Sequence, residues 1–219
     1  EPEAARIKGE ALLAAGKTAQ ARATMAVAYR RGGRDPDLLA AIGLLEVDAK
    51  ETATAKKFLE LVANGKTTRS RALVELAKLR LIEALGPLET STARLSAAQM
   101  ASVLTPLFAA RELPAATPQL YATIARAWEN SAINPESAHL AVLDEGVKLF
   151  PRKTELVYRT ALLKARIGLY SDSAELITLG LQHTTDPEAR PVFDASLHLA
   201  PGHHATECTR VDAKKWPMA

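Results

Sequence analysis

The 219-residue chain is 47% hydrophobic but only 5% aromatic, so it can bury a sizeable core that must rest on Ala and Leu, the strongest helix formers among apolar residues. Its 28 Lys and Arg against 25 Asp and Glu leave a formal charge of +3, mixed in sign along the chain as on solvated helix faces, which argues against a nucleic-acid-binding stripe. A single cysteine excludes an intrachain disulfide framework, and no apolar run approaches the roughly 20 residues that span a bilayer.

In chain order, the first predicted element is the helix ending at Gly16 in "GEALLAAGKTAQARATM", residues 9 to 25, and the second follows it immediately. "GGRDP" (32 to 36) breaks the chain, after which "GLLEVDAKETATAKKFL" (43 to 59) repeats the layout. Gly9, Ala21 and Met25 lie 34 residues before Gly43, Ala55 and Leu59, and Ala77 falls at the next step of 34 from Gly43. Each unit therefore reads as helix, turn, helix. Small residues set how closely the two helices approach, and a large apolar residue one turn away fills the space beside them.

"ANGK" (63 to 66) opens the third unit, whose first helix carries Leu73, Leu76, Ala77, Leu81 and Ala84 at helical spacing. Gly86 and Pro87 end it, and a loop near 86–95 is inserted before a helix that starts at Ser96 with Gln99 as its capping box. Met100, Leu104, Leu107 and Phe108 line one face of that helix, and Pro106 is expected to kink it. The fourth unit opens with Thr117 as cap and Pro118 at the first helical place, runs through Ile124 and Trp128, and ends at Pro151. The fifth begins near Thr154. Past "HTTDP" (183 to 187) one helix with Val192, Phe193, Leu197 and Leu199 is expected to cap the stack, which would otherwise expose an apolar face.

This pattern resembles the tetratricopeptide repeat family, whose units carry small residues at the eighth and twentieth places and a large apolar residue at the twenty-fourth. The same register returns in "ARIGLYSDSAELITLGL" (165 to 181) as Gly168, Tyr170, Ser173, Ile177 and Gly180. Lys8 and Ala5 depart from it, standing where the family prefers apolar residues. The resemblance implies an all-α, right-handed superhelical solenoid of antiparallel helix pairs, about five repeats plus a C-terminal capping helix. That domain would span 1–200, followed by a poorly ordered tail, 201–219.

In that family the first helices line a concave groove. Carried onto this sequence, the groove places fall on Arg6, Glu10, Leu44, Val47, Lys78, Leu81, Arg126, Tyr158 and Leu162, with Leu13, Asp48, Val74, Ile82, Asn130 and Arg166 beside them. Such a mixed apolar and charged stripe suits an extended peptide or a partner helix. The family's clamp for C-terminal carboxylates is not expected, because Arg6, Glu10 and Ala41 stand at its places and Glu10 would repel the carboxylate.

No phosphate loop, dinucleotide fingerprint, HExxH, CxxC or GxSxG occurs in the sequence. His203, His204 and Cys208 in the polar tail make a poor zinc set, and His139 and Trp128 read as packing residues. The expectation is a non-catalytic scaffold that binds a peptide or partner protein, with no cofactor, no metal, no nucleic acid and no membrane insertion. The alternative is a regulatory or substrate-docking repeat domain of a larger enzyme, since the start at Glu1 predicts a processed product or an excised fragment. The compartment, cytoplasmic or exported, stays open.

Overall fold

The structure, a computed structural model, describes residues 2–63, 66–86, 94–184 and 189–198. Regular secondary structure among them is helical: α1 (Pro2–Ala14), α2 (Thr18–Arg30), α3 (Pro36–Asp48), α4 (Thr52–Ala63), α5 (Ser70–Leu85), α6 (Ala97–Arg111), α7 (Pro118–Glu129), α8 (Ser137–Leu149), α9 (Thr154–Arg166), α10 (Tyr170–His183) and α11 (Ala189–His198). Two compact units divide the chain, residues 1–123 and 124–219. Within the first, α1 packs on α2, α3 on α4 and α5 on α6; within the second, α9 packs on α10 and α10 on α11.

The 34-residue spacing becomes contact through two glycines. A methyl group on Gly9 would stand 2.6 Å from Met25 Cγ, and one on Gly43 would stand 2.6 Å from Leu59 Cδ2. Met25 and Leu59 are fully buried, so each helix pair closes over a side chain that occupies the space a methyl group would need. In the second unit Gly180 makes the equivalent close approach to the ring of Phe193, which anchors α11. Met25 and Ala28 from α2 join Leu38, Ala41, Ile42 and Leu45 from α3 in one core cluster, with Ala5, Leu13, Tyr29 and Phe58 packed on its margin.

The turns explain why the pairs are tight. At the end of α1, Lys17 N–H donates to the Leu12 carbonyl and Gly16 N–H to that of Leu13, with Gly16 at φ +72°. Thirty-four residues on, Lys50 adopts φ +61° in the same hydrogen-bond pattern, so the architecture imposes a left-handed residue even where the sequence offers no glycine. At the start of α3, Asp35 accepts from Leu38 N–H at 3.0 Å. Asp37 accepts from Thr67 Oγ1, Thr68 N–H and Thr68 Oγ1 at 2.6, 2.8 and 2.8 Å, which ties the approach to α5 back onto α3.

The capping box at Ser96 and Gln99 forms, with Gln99 N–H on Ser96 Oγ and Ser96 N–H on Gln99 Oε1. Pro106, expected to kink its helix, sits inside α6. Proline has no N–H for the carbonyl of Ser102 four residues back; Arg80 of α5 supplies the missing donor at 2.8 Å. The same guanidinium holds Glu60 of α4 through Nε, at 3.0 Å, and Nη2, so one side chain stitches three helices. Most of the loop near 86–95, and the tail with His203, His204 and Cys208, lie outside the described residues.

Candidate interaction faces

In the first unit the places assigned to a groove lie on α1, α3 and α5, in register at 10, 44 and 78 and at 13, 47 and 81. Arg6 and Glu10 are already engaged within the chain. Arg6 donates to Glu3 at 2.5 Å and to Glu10 at 3.0 Å, and Glu10 also accepts from Arg69, the residue before α5, at 2.7 Å. Sequence inspection missed Arg69, because a loop residue 59 positions away carries no periodic signal linking it to Glu10.

Leu44 and Val47 are half-buried, and Ile82 of α5 is 53% exposed. Charge pairs frame them: Lys78 donates to Glu75 at 2.9 Å and Arg71 to Asp48 at 2.5 Å. Leu81, assigned to the same stripe, is 1% exposed, and Val74 is 3% exposed. Both are core residues, so on α3 and α5 the accessible apolar surface of this stripe belongs to Leu44, Val47 and Ile82.

In the second unit Arg126 of α7 and Leu162 of α9 are half-buried, whereas Tyr158 is 6% exposed. The Tyr158 ring meets Phe193 of α11 edge-on with centroids 5.3 Å apart, and its hydroxyl accepts from Ser196 Oγ at 3.5 Å. The capping helix therefore covers a place that the repeat register assigns to a groove. Arg159 of α9, which periodicity did not single out, has a side chain only 11% exposed. It pairs with Glu129 and, at 3.0 Å, with Glu155. Burial, and after it the like charge of Arg126, push its guanidinium down to about 10. Arg166 donates to the carbonyls of Trp128 and Glu129 at 3.1 and 3.3 Å, closing the end of α7, and Asn130 Nδ2 donates to the Arg126 carbonyl at 2.8 Å.

His139 and Trp128 pack on each other with ring centroids 4.6 Å apart, and His139 Nδ1 accepts the Glu136 N–H at 3.1 Å. Lys164 lies between Asp144 and Asp172; burial alone would lower its pKa, but the two carboxylates more than offset this and raise it. Among the described residues no group of three or more His, Cys, Asp or Glu is placed to hold a metal, and no helix is long and apolar enough to cross a membrane.

No protein-family model and no curated protein matches the chain. Solved structures do match. A crystal structure of MamA protein superposes with a TM-score of 0.59 at 12% identity, over 92% of this chain and 98% of that one. Residues 1–338 of the assembly chaperone of RpL4, Acl4, superpose with a TM-score of 0.58 at 14% identity, over 90% of this chain and 84% of that one. TTC0263, a thermophilic TPR protein of Thermus thermophilus, gives 0.50 at 14% identity, over 91% of this chain and all of that one. With the glycine-anchored helix pairs at a 34-residue register, these likenesses make the chain an all-α helical-repeat protein of tetratricopeptide fold.

Proposed function

We propose that the chain is a protein-interaction repeat domain that holds an extended peptide or a partner segment on the first-helix face of its repeats. The observation that carries this reading is the patch of Leu44, Val47 and Ile82, which stays accessible in a unit whose other large apolar side chains on α3 and α5 are mostly interior. Apolar anchors surrounded by charge pairs suit a ligand that offers alternating side chains and backbone polar groups. A neighbour of the same fold described as an assembly chaperone of RpL4 is in keeping with a protein client. The role is one of binding rather than catalysis.

The test is selection of peptides from a displayed library against the folded chain, followed by affinity measurement on Leu44→Glu and Ile82→Glu. Both substitutions are at accessible positions and should leave the melting curve nearly unchanged. The expected result is a loss of at least about tenfold in affinity, worth about 1.4 kcal/mol. Equal affinity for both variants would refute this face. Leu81→Glu does not serve, because a carboxylate at a position 1% exposed would unfold the repeat whatever its role.

A further inference from the structure

A second surface of the first unit does not use the first-helix stripe. A groove of about 590 Å³ opens between α2, α3 and α4. From α2 its lining includes Ala19, Ala23 and Ala26, at helical spacing, a row of methyl groups that lets a backbone approach closely between Arg22 and the Tyr29–Arg30 end. Tyr29 and Phe58 close one part of the floor edge-on, with centroids 5.0 Å apart, and both remain half-buried. Partly covered aromatic rings beside a row of small residues are the elements from which helix-in-groove contacts are built.

The charges around the groove decide what fits it. Glu46, buried in the floor, is neutralised by Arg22 through two hydrogen bonds of 2.7 and 2.5 Å, so the middle of the groove carries no net charge. The end of α2 differs. Arg30 lines the groove there, Arg31 follows it, and Arg34 lies 4.0 Å over the Tyr29 ring while donating to the Tyr29 and Gly33 carbonyls. None of these three arginines forms an ion pair with a carboxylate among the described residues. An apolar trough with one uncompensated cationic end selects a ligand of opposite pattern.

We propose that this groove docks one amphipathic helix of a partner protein, its apolar stripe against Ala19, Ala23, Ala26 and Phe58 and its acidic residues against Arg30, Arg31 and Arg34. The site is independent of the first-helix face. A helix of about 14 residues spans about 21 Å, close to the length of the 13-residue α2 along which it would lie.

The test uses two labelled synthetic helices of about 14 residues with the same Leu and Ala stripe, one flanked by glutamates and the other by lysines. Their binding to the intact chain is read by fluorescence anisotropy at low and at physiological salt. The glutamate helix should bind at least about tenfold more tightly, and salt should narrow the difference. Ala19→Gln with Ala23→Gln places two neutral, helix-compatible side chains in the trough and should cost the glutamate helix at least about tenfold. Arg30→Glu with Arg31→Glu should reverse the preference between the helices, whereas Leu44→Glu should leave it unchanged. The proposal is overturned if neither helix binds, if the glutamine pair has no effect, or if Leu44→Glu abolishes binding, which would move the contact to the first-helix face. It is also overturned if sedimentation shows a self-associating chain whose association the glutamine pair removes, which would make the occupant a second copy.

Discussion

Gly43→Ala places one methyl carbon where α3 and α4 have no room for it. The new carbon would lie 2.6 Å from Leu59 Cδ2 and 2.8 Å from Leu59 Cγ, against about 3.5–4.0 Å for an ordinary carbon contact. Leu59 is fully buried, so the strain must be relieved by separating the helices or forcing Leu59 off its rotamer, at a cost of about 1–3 kcal/mol. Alanine in mid-helix returns up to about 1 kcal/mol through propensity, which leaves a net destabilisation of up to about 2 kcal/mol. Thermal melting followed by circular dichroism should show a fall of up to about 8 °C, since 1 kcal/mol is about 2–4 °C for a chain of this size. Leu59→Ala alone should cost about 2–5 kcal/mol. In the Gly43→Ala background it should cost at least about 1 kcal/mol less, because the introduced methyl group then occupies part of the vacated space. A Gly43→Ala chain that melts at or above the parent would refute the view that the 34-residue register is a packing constraint, and additive effects in the double substitution would do the same.

Arg80→Met should destabilise the chain by about 0.5–1.5 kcal/mol in urea titration, because the Ser102 carbonyl loses the donor that replaces the missing N–H of Pro106. In a Pro106→Ala background the cost should fall, since the substitution restores a backbone N–H that can serve that carbonyl, and an unchanged cost would show that Glu60 alone accounts for Arg80. Asp37 gives a pH test. Burial by itself would raise its carboxyl pKa, but hydrogen bonds from Thr67 and Thr68, together with the charge of Arg69, leave it below the ordinary aspartate value. The stability it contributes is therefore fully present above the unfolded pKa of about 3.9 and is lost as pH falls through the lower folded value. Melting temperatures between about pH 5 and 2 should decline less steeply for Asp37→Asn than for the parent, and parallel curves would exclude the carboxylate as the source.

What the sequence by itself determined was everything a helix's own geometry converts from spacing into contact. Gly9 with Met25 and Gly43 with Leu59 are separated by the same number of residues, so one turn length brings each pair together, and the small-then-large pattern was legible from composition and period alone. Caps were legible for the same reason: the hydrogen bonds of Ser96 with Gln99, and the N–H of Leu120 on Thr117, close within three residues. The tertiary structure decided how each helix is rotated against its neighbours, which no single helix encodes. Leu44 and Leu81 share a stripe by count, yet one stays half-exposed and the other is interior, and Tyr158 is covered because α11 lays Phe193 on it. Arg69 on Glu10, Arg80 on the Ser102 carbonyl and the trough beside Phe58 arise only where separate elements meet in space. Their positions depend on through-space distances between helices, whereas periodicity reports only order along one.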